Sequence, residues 1–118
     1  MKIQIVETNS DLLNFIKLPW EIYQNDKYWV PPLISEMRTI LDEKKNPFWK
    51  HSQKQLFIVV DDTGKRCGRV AAIIDKNFIE FHNESTGFFA FFESVNDYTV
   101  AKLLLDSVKN YLKEKGIT

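Results

Sequence analysis

Few side chains in this sequence are of the kinds that do chemistry unaided, and their spacing narrows the options further. Cys67 is the sole cysteine. A nucleophilic cysteine needs a base close by and some exposure. Cys67 instead opens the apolar run to Ile74, where a buried, inert thiol is expected. The two histidines, His51 and His82, lie at neither dyad nor ligand spacing from it. A zinc site takes about four such ligands, so no metal is assigned. Arg69 stands in the same apolar run and is expected to face a sheet edge or an ion pair. Trp20, Tyr23, Tyr28, Trp29 and Trp49 are of the type that lines an acceptor pocket, although aromatics at helix and loop spacings more often pack helices onto a sheet.

The bulk properties exclude several classes. One cysteine rules out an internal disulfide and with it a secreted disulfide scaffold. Sixteen basic residues balance sixteen acidic ones, so the basic excess that releases counterions from nucleic-acid phosphates is missing. Lys109, Lys113 and Lys115 complement a helix C-terminus and need no ligand. The opening Met1-Lys2-Ile3-Gln4-Ile5 carries no long apolar stretch after its lysine, unlike a signal peptide. No run approaches the ~20 apolar residues that span a bilayer. The expected location is the cytoplasm, with neither nucleic acid nor membrane as partner. At 118 residues and 44% hydrophobic, the chain has material for one folded domain and its own core.

The elements that must position any site follow from periodicity. Lys2 to Glu7 alternates as a short strand does. Thr8-Asn9-Ser10 offers helix caps, and Leu12, Leu13, Ile16, Trp20 and Tyr23 recur at helical spacing. Pro19 lacks an N–H, which predicts a break near Leu18 and two short helices. Pro31-Pro32 opens a further helix through Leu33, Met37, Ile40 and Leu41. Asp42 to Gln55 reads as a long loop with at most one helical turn. Gln55 to Val60, the turn Asp61-Asp62-Thr63-Gly64-Lys65 and Arg66 to Ile74 form a hairpin. Asp75 to Thr86 reads as polar and irregular. Gly87 to Phe92 is apolar on both faces, which predicts a strand covered on both sides. Asn96 or Asp97 caps a long final helix whose stripe is Val100, Leu103, Leu104, Val108, Tyr111 and Leu112, with Gly116 as terminator. The fold class is α+β: a mostly antiparallel sheet built from a strand, two or three short helices, a three-strand meander and a long helix. A strand followed by a helix usually returns to the sheet, and only Ile117-Thr118 follow, so the fold is expected to be incomplete.

This element order resembles the first half of the GNAT family of acyl-CoA N-acyltransferases. Finer wording is similar to a bacterial GNAT-like subgroup: Phe15-Ile16-Lys17-Leu18-Pro19-Trp20, Trp29-Val30-Pro31-Pro32-Leu33, Asn46-Pro47-Phe48, Gly68-Arg69-Val70-Ala71-Ala72-Ile73 and Gly87-Phe88-Phe89-Ala90-Phe91-Phe92-Glu93. The resemblance implies transfer of an acyl group from acetyl-CoA or another acyl-CoA to an amine. It implies that the pantetheine arm bonds to backbone groups of Phe91, Phe92 and Glu93. It also places the pyrophosphate on backbone amides at the start of the long helix, at Tyr98, Thr99, Val100 and Ala101. Of the family's phosphate signature only Ala101 matches. Asn96 stands where an arginine is usual, Thr99 where a glycine is, and Asp97 adds a negative charge. Glu93 takes the position of a carboxylate that deprotonates the acceptor amine in some members. It is also simply an acidic residue near a helix start, favoured by the dipole.

Two function classes follow. In the first, the chain is the opening piece of an acyltransferase, inactive alone, with an apolar edge and groove open at Phe88 to Phe92. In the second it is a non-catalytic structural or interaction module of the same lineage, with that edge covered or paired. An uncovered edge strand templates pairing, so a homodimer through it is the expected protein partner.

Overall fold

The computed structural model describes residues 1–23, 34–42, 44, 46–82 and 87–117. In chain order the elements are β1 (Lys2–Ile5), α1 (Asn9–Tyr23), α2 (Ile34–Leu41), a 3₁₀ turn (Pro47–Lys50), β2 (Ser52–Val60), β3 (Arg66–Asp75), α3 (Lys76–His82), β4 (Phe88–Ser94) and α4 (Tyr98–Glu114). The four strands form one antiparallel sheet in the order β1-β2-β3-β4, so the class is α+β, as the periodicity predicts. Pro31-Pro32, Tyr28 and Trp29 lie outside the described residues.

The period of two in β2 and β3 sorts their side chains onto two helix-covered faces. Phe57, Val59, Val70, Ala72 and Ile74 pack with Val100, Leu104, Val108 and Tyr111 of α4. Leu56, Ile58, Ala71 and Ile73 pack with Phe15 and Ile16 of α1, Met37 and Leu41 of α2, and Trp49. Two cores result, one on each face of the central strands. Gly68 lets α4 lie close: a Cβ there would stand 2.8 Å from Leu104 Cδ1 and from Val100 Cγ1. The β2–β3 turn is held by Asp61, whose carboxylate accepts from the N–H groups of Thr63 (2.9 Å) and Lys65 (3.0 Å) and from the Thr63 hydroxyl (2.6 Å). Those bonds, the Thr63 hydroxyl first, hold its carboxyl below the usual range. Gly64 supplies the φ of +86° that closes the turn.

Three expectations need correction. First, α1 does not break at Pro19 but runs unbroken from Asn9 to Tyr23, for a reason given below. Second, Lys76–His82 is helical rather than irregular. Its start is tied down by the Lys76 N–H donating to the His51 carbonyl (2.8 Å) and the Phe78 N–H to the Asp75 carboxylate (3.4 Å). Third, among the described residues β4 is not covered on both sides. There it pairs with β3 alone and lies at the edge of the sheet, with Phe88, Phe89 and Phe92 exposed.

Candidate functional site

Cys67 is buried, its Sγ sits 3.5 Å from the Val59 carbonyl, and burial pushes its thiol up. It is the extra residue of a bulge in β3, between the pairs Val60↔Arg66 and Val59↔Gly68. Among the described residues no cluster of His, Cys, Asp and Glu could hold a metal.

The groups that do converge lie between the C-terminal half of α1, the first half of β3 and the end of β4. α1 starts at Thr8, whose hydroxyl accepts from the Asp11 N–H (3.0 Å) while the Asp11 carboxylate accepts from the Thr8 N–H (3.3 Å); this reciprocal cap fixes the helix entry. Further on, Pro19 has no N–H to give the Phe15 carbonyl one turn back. Arg69 gives it instead. Its Nη1 donates to Phe15 O (2.7 Å) and to Ile16 O (3.4 Å), and its guanidinium lies 4.9 Å from the Phe15 ring centroid. Arg69 is 4% exposed, on a central strand. It therefore faces backbone carbonyls rather than a sheet edge, and this side-chain donor is what lets α1 continue through its proline. Burial draws its guanidinium down to about 10, against the opposing influence of Glu93 and, less, of Tyr23.

The third bond of Arg69 goes to β4: its Nε donates to Phe91 O (3.1 Å). Phe91 has φ +56°, the sole non-glycine residue in the left-handed region among those described. It belongs to a bulge, because between the pairs Ala71↔Ala90 and Arg69↔Glu93 one residue of β3, Val70, faces two of β4, Phe91 and Phe92. The bulge decides the site. Continued regularly from Ala71↔Ala90, the ladder would put Phe92 opposite Arg69 and turn Glu93 to the α4 face. With the extra residue, Glu93 stands opposite Arg69 on the α1 face, and Phe92 turns outward, 36% exposed. Glu93 there accepts a hydrogen bond from the Tyr23 hydroxyl at the end of α1. Beside this pair Arg66 makes an ion pair with Glu21.

Glu93 and the backbone of Phe91 and Phe92 are thus brought together with Tyr23 and Arg69, two residues whose part in the site was not legible locally. Tyr98, Thr99, Val100 and Ala101 lie at the start of α4. Of the two candidate caps, Asp97 is the N-cap: its carboxylate accepts from the Thr99 N–H at 2.9 Å. Tyr98 is 80% exposed, while Val100 packs into the core. Of the other aromatics, Trp49 is buried among α1 and α2. A cleft of about 550 Å³ lies elsewhere, at the opposite end of α1, lined by residues that include Thr8, Asn9, Leu12 and Lys54. It holds none of these groups.

The chain is similar to a bacterial ceramide synthase of Caulobacter vibrioides (strain NA1000 / CB15N), with 31% identity over 114 residues, 96% of this chain and 29% of that protein. It is also similar to the protein YghO of Escherichia coli (strain K12), with 33% identity over 107 residues, 91% of this chain and 27% of that protein. The chain therefore spans less than a third of the length of these relatives. No family model and no solved structure matches it. These findings overturn the GNAT resemblance, since the relatives carry other names and no GNAT model matches. Its physical weakness is visible in the structure. The order of strand, helices, meander and helix is a generic α+β arrangement, and the start of α4 is closed by an aspartate cap instead of a glycine-lined loop. No described helix is long and apolar enough to cross a membrane.

Proposed function

We propose that the chain is part of an N-acyltransferase that moves an acyl group from an acyl-CoA, acetyl-CoA or a longer thioester, to an amine. The observation that carries the reading is the bulge at Phe91, which turns Glu93 onto the α1 face and against the Tyr23 hydroxyl. Bulges of this kind re-aim a side chain next to active sites, and a left-handed non-glycine residue in a strand is the sort of strain that functional sites retain. The name of the Caulobacter relative points the same way, because a ceramide is an amide and its synthase makes an N-acyl bond.

In this reading the amine nitrogen attacks the thioester carbonyl. The Glu93 carboxylate accepts the proton that the nitrogen must lose, the C–S bond breaks to release the CoA thiolate, and the protonated Glu93 returns that proton to the sulfur, directly or through solvent, to give the free thiol and restore the base. Tyr23 keeps the carboxylate oriented. Backbone groups of Phe91 and Phe92 at the outer edge of the sheet, other than the Phe91 carbonyl that Arg69 already holds, bond the pantetheine arm. At the start of α4, Tyr98 to Ala101 contribute to holding the phosphates through the amides of Tyr98 and Val100, less strongly than a glycine loop would, because the Thr99 N–H already donates to the Asp97 carboxylate and the Ala101 N–H to the Asp97 carbonyl. The binding energy rests mainly on β4. An apolar acyl chain has a surface to lie on there, since Phe89 (56% exposed) and Phe92 both present apolar area to solvent and their rings meet edge to face.

The test is to incubate the full-length protein with acetyl-CoA or palmitoyl-CoA and a long-chain amine and to look for the amide by mass spectrometry. Amide above the protein-free control supports the reading; none with either thioester sinks it. The second reading is a non-catalytic interaction module, and the Asp97 cap favours it. The open edge of β4 bears on both readings, because unpaired strand edges template self-pairing. The chain is expected to form a dimer in sedimentation experiments at high concentration, and Phe89→Lys to weaken it. A chain that stays monomeric throughout would contradict the edge-paired homodimer.

A further inference from the structure

The structure assigns Arg69 as a positioning residue for Glu93: its guanidinium ties the Phe91 carbonyl in the β4 bulge to the carbonyl that Pro19 frees in α1. The assignment rests on the reading of Glu93 as the base. Its geometry is independent of that reading.

Five observations converge. Pro19 leaves the Phe15 carbonyl, in the interior of α1, without its usual helical donor. Arg69 reaches it with one arm of its fork and reaches Phe91 O with another. Phe91 adopts a backbone conformation that costs free energy for a residue with a Cβ, so something must hold it there. The bulge that this conformation creates decides which face Glu93 occupies. Arg69 itself lies opposite Glu93 in the ladder. The planar guanidinium carries donors in fixed directions. A lysine ammonium on a flexible stem cannot hold Phe15 O and Phe91 O at their present separation with the same definition. The proline in α1 and the bulge in β4 thus become two ends of one device, although 72 positions separate Pro19 from Phe91 (91 − 19).

The test uses Arg69→Lys and the double variant Pro19→Ala/Arg69→Lys, read by NMR on the chain. The scalar coupling and Cα shift of Phe91 report its left-handed backbone, and a Tyr23-to-Glu93 contact reports the site. Arg69→Lys is expected to keep a dispersed spectrum, to lose the left-handed signature at Phe91 and the Tyr23–Glu93 contact, and to raise the acetyl-CoA dissociation constant at least tenfold. If the single variant fails to fold, Pro19→Ala supplies the missing N–H to Phe15 O. The double variant should then regain its fold without regaining the bulge. A left-handed Phe91 that persists in either variant overturns the assignment, because Arg69 would then serve α1 alone. A double variant that remains unfolded overturns it too, by showing that Arg69 holds the core as a whole. Wild-type protein that fails to bind acetyl-CoA would sink the acyl-CoA reading, and the Phe91 signals alone would then judge Arg69.

Discussion

Glu93→Gln is expected to slow acyl transfer by about 100- to 10,000-fold, the range over which a positioned general base acts. The substitution is close to isosteric and its amide oxygen still accepts from the Tyr23 hydroxyl, so the thermal midpoint should move by only a few degrees. What is lost is the capacity to take a proton from the attacking amine. The dissociation constant for acyl-CoA should change little, because the proposed site holds the thioester through the backbone of β4 and the start of α4 rather than through the carboxylate. An unaltered rate in Glu93→Gln would remove the residue from the mechanism. A large loss of affinity with an unaltered rate at saturation would make it a binding residue instead.

The second large effect is on stability. Phe15→Ala should cost about 3–5 kcal/mol, the usual range for truncating a buried aromatic. Phe15 is fully buried, packs among Met37, Leu41, Leu56, Ile58 and Ala71, and lies beneath the Arg69 guanidinium. Its loss therefore removes the transfer free energy, opens a cavity, and takes away a ring over which the cation is placed. A domain of this size is stable by only about 5–15 kcal/mol, so chemical denaturation should show a much lower midpoint with a similar slope. A loss below about 1 kcal/mol would show that the α1 face collapses around the gap, and would weaken the case that α1 rigidly presents Tyr23.

Much of the frame was legible in the sequence because its determinants are local. The hairpin of β2 and β3 announces itself through branched residues around a turn with glycine at the position that needs a positive φ. The stripe Val100, Leu104, Val108 and Tyr111 is buried as its spacing requires. The misses at Pro19, Tyr23 and Arg69 share one cause, which is that the deciding partner lies far along the chain. Pro19 reads as a break, and would be one if Arg69 were not within reach. Their hydrogen-bonded carbonyl and guanidinium are 54 positions apart. Tyr23 reads as a packing aromatic, yet its hydroxyl meets a carboxylate 70 positions away. Arg69 looks misplaced in an apolar strand until both carbonyls are seen. The bulge has no marker at all, since no glycine stands at the left-handed position and Phe91 is one of a run of similar residues. Gly87 to Phe92 was expected to be covered because it is apolar on both faces, but its place in the sheet order leaves it at an edge. The short motifs carried a family resemblance that the comparisons do not support, which is what generic element order and brief apolar strings permit.

Titrating ¹⁵N-labelled chain with acetyl-CoA tests whether the β4 bulge and the start of α4 form a site for an acyl-CoA beside Glu93. Saturable shifts are expected in the amides of Phe91, Phe92 and Glu93 and of Tyr98 to Ala101, with the cleft around Thr8 and Leu12 unaffected. Absence of shifts at these residues up to the solubility limit of the ligand, or shifts confined to that cleft, would contradict it.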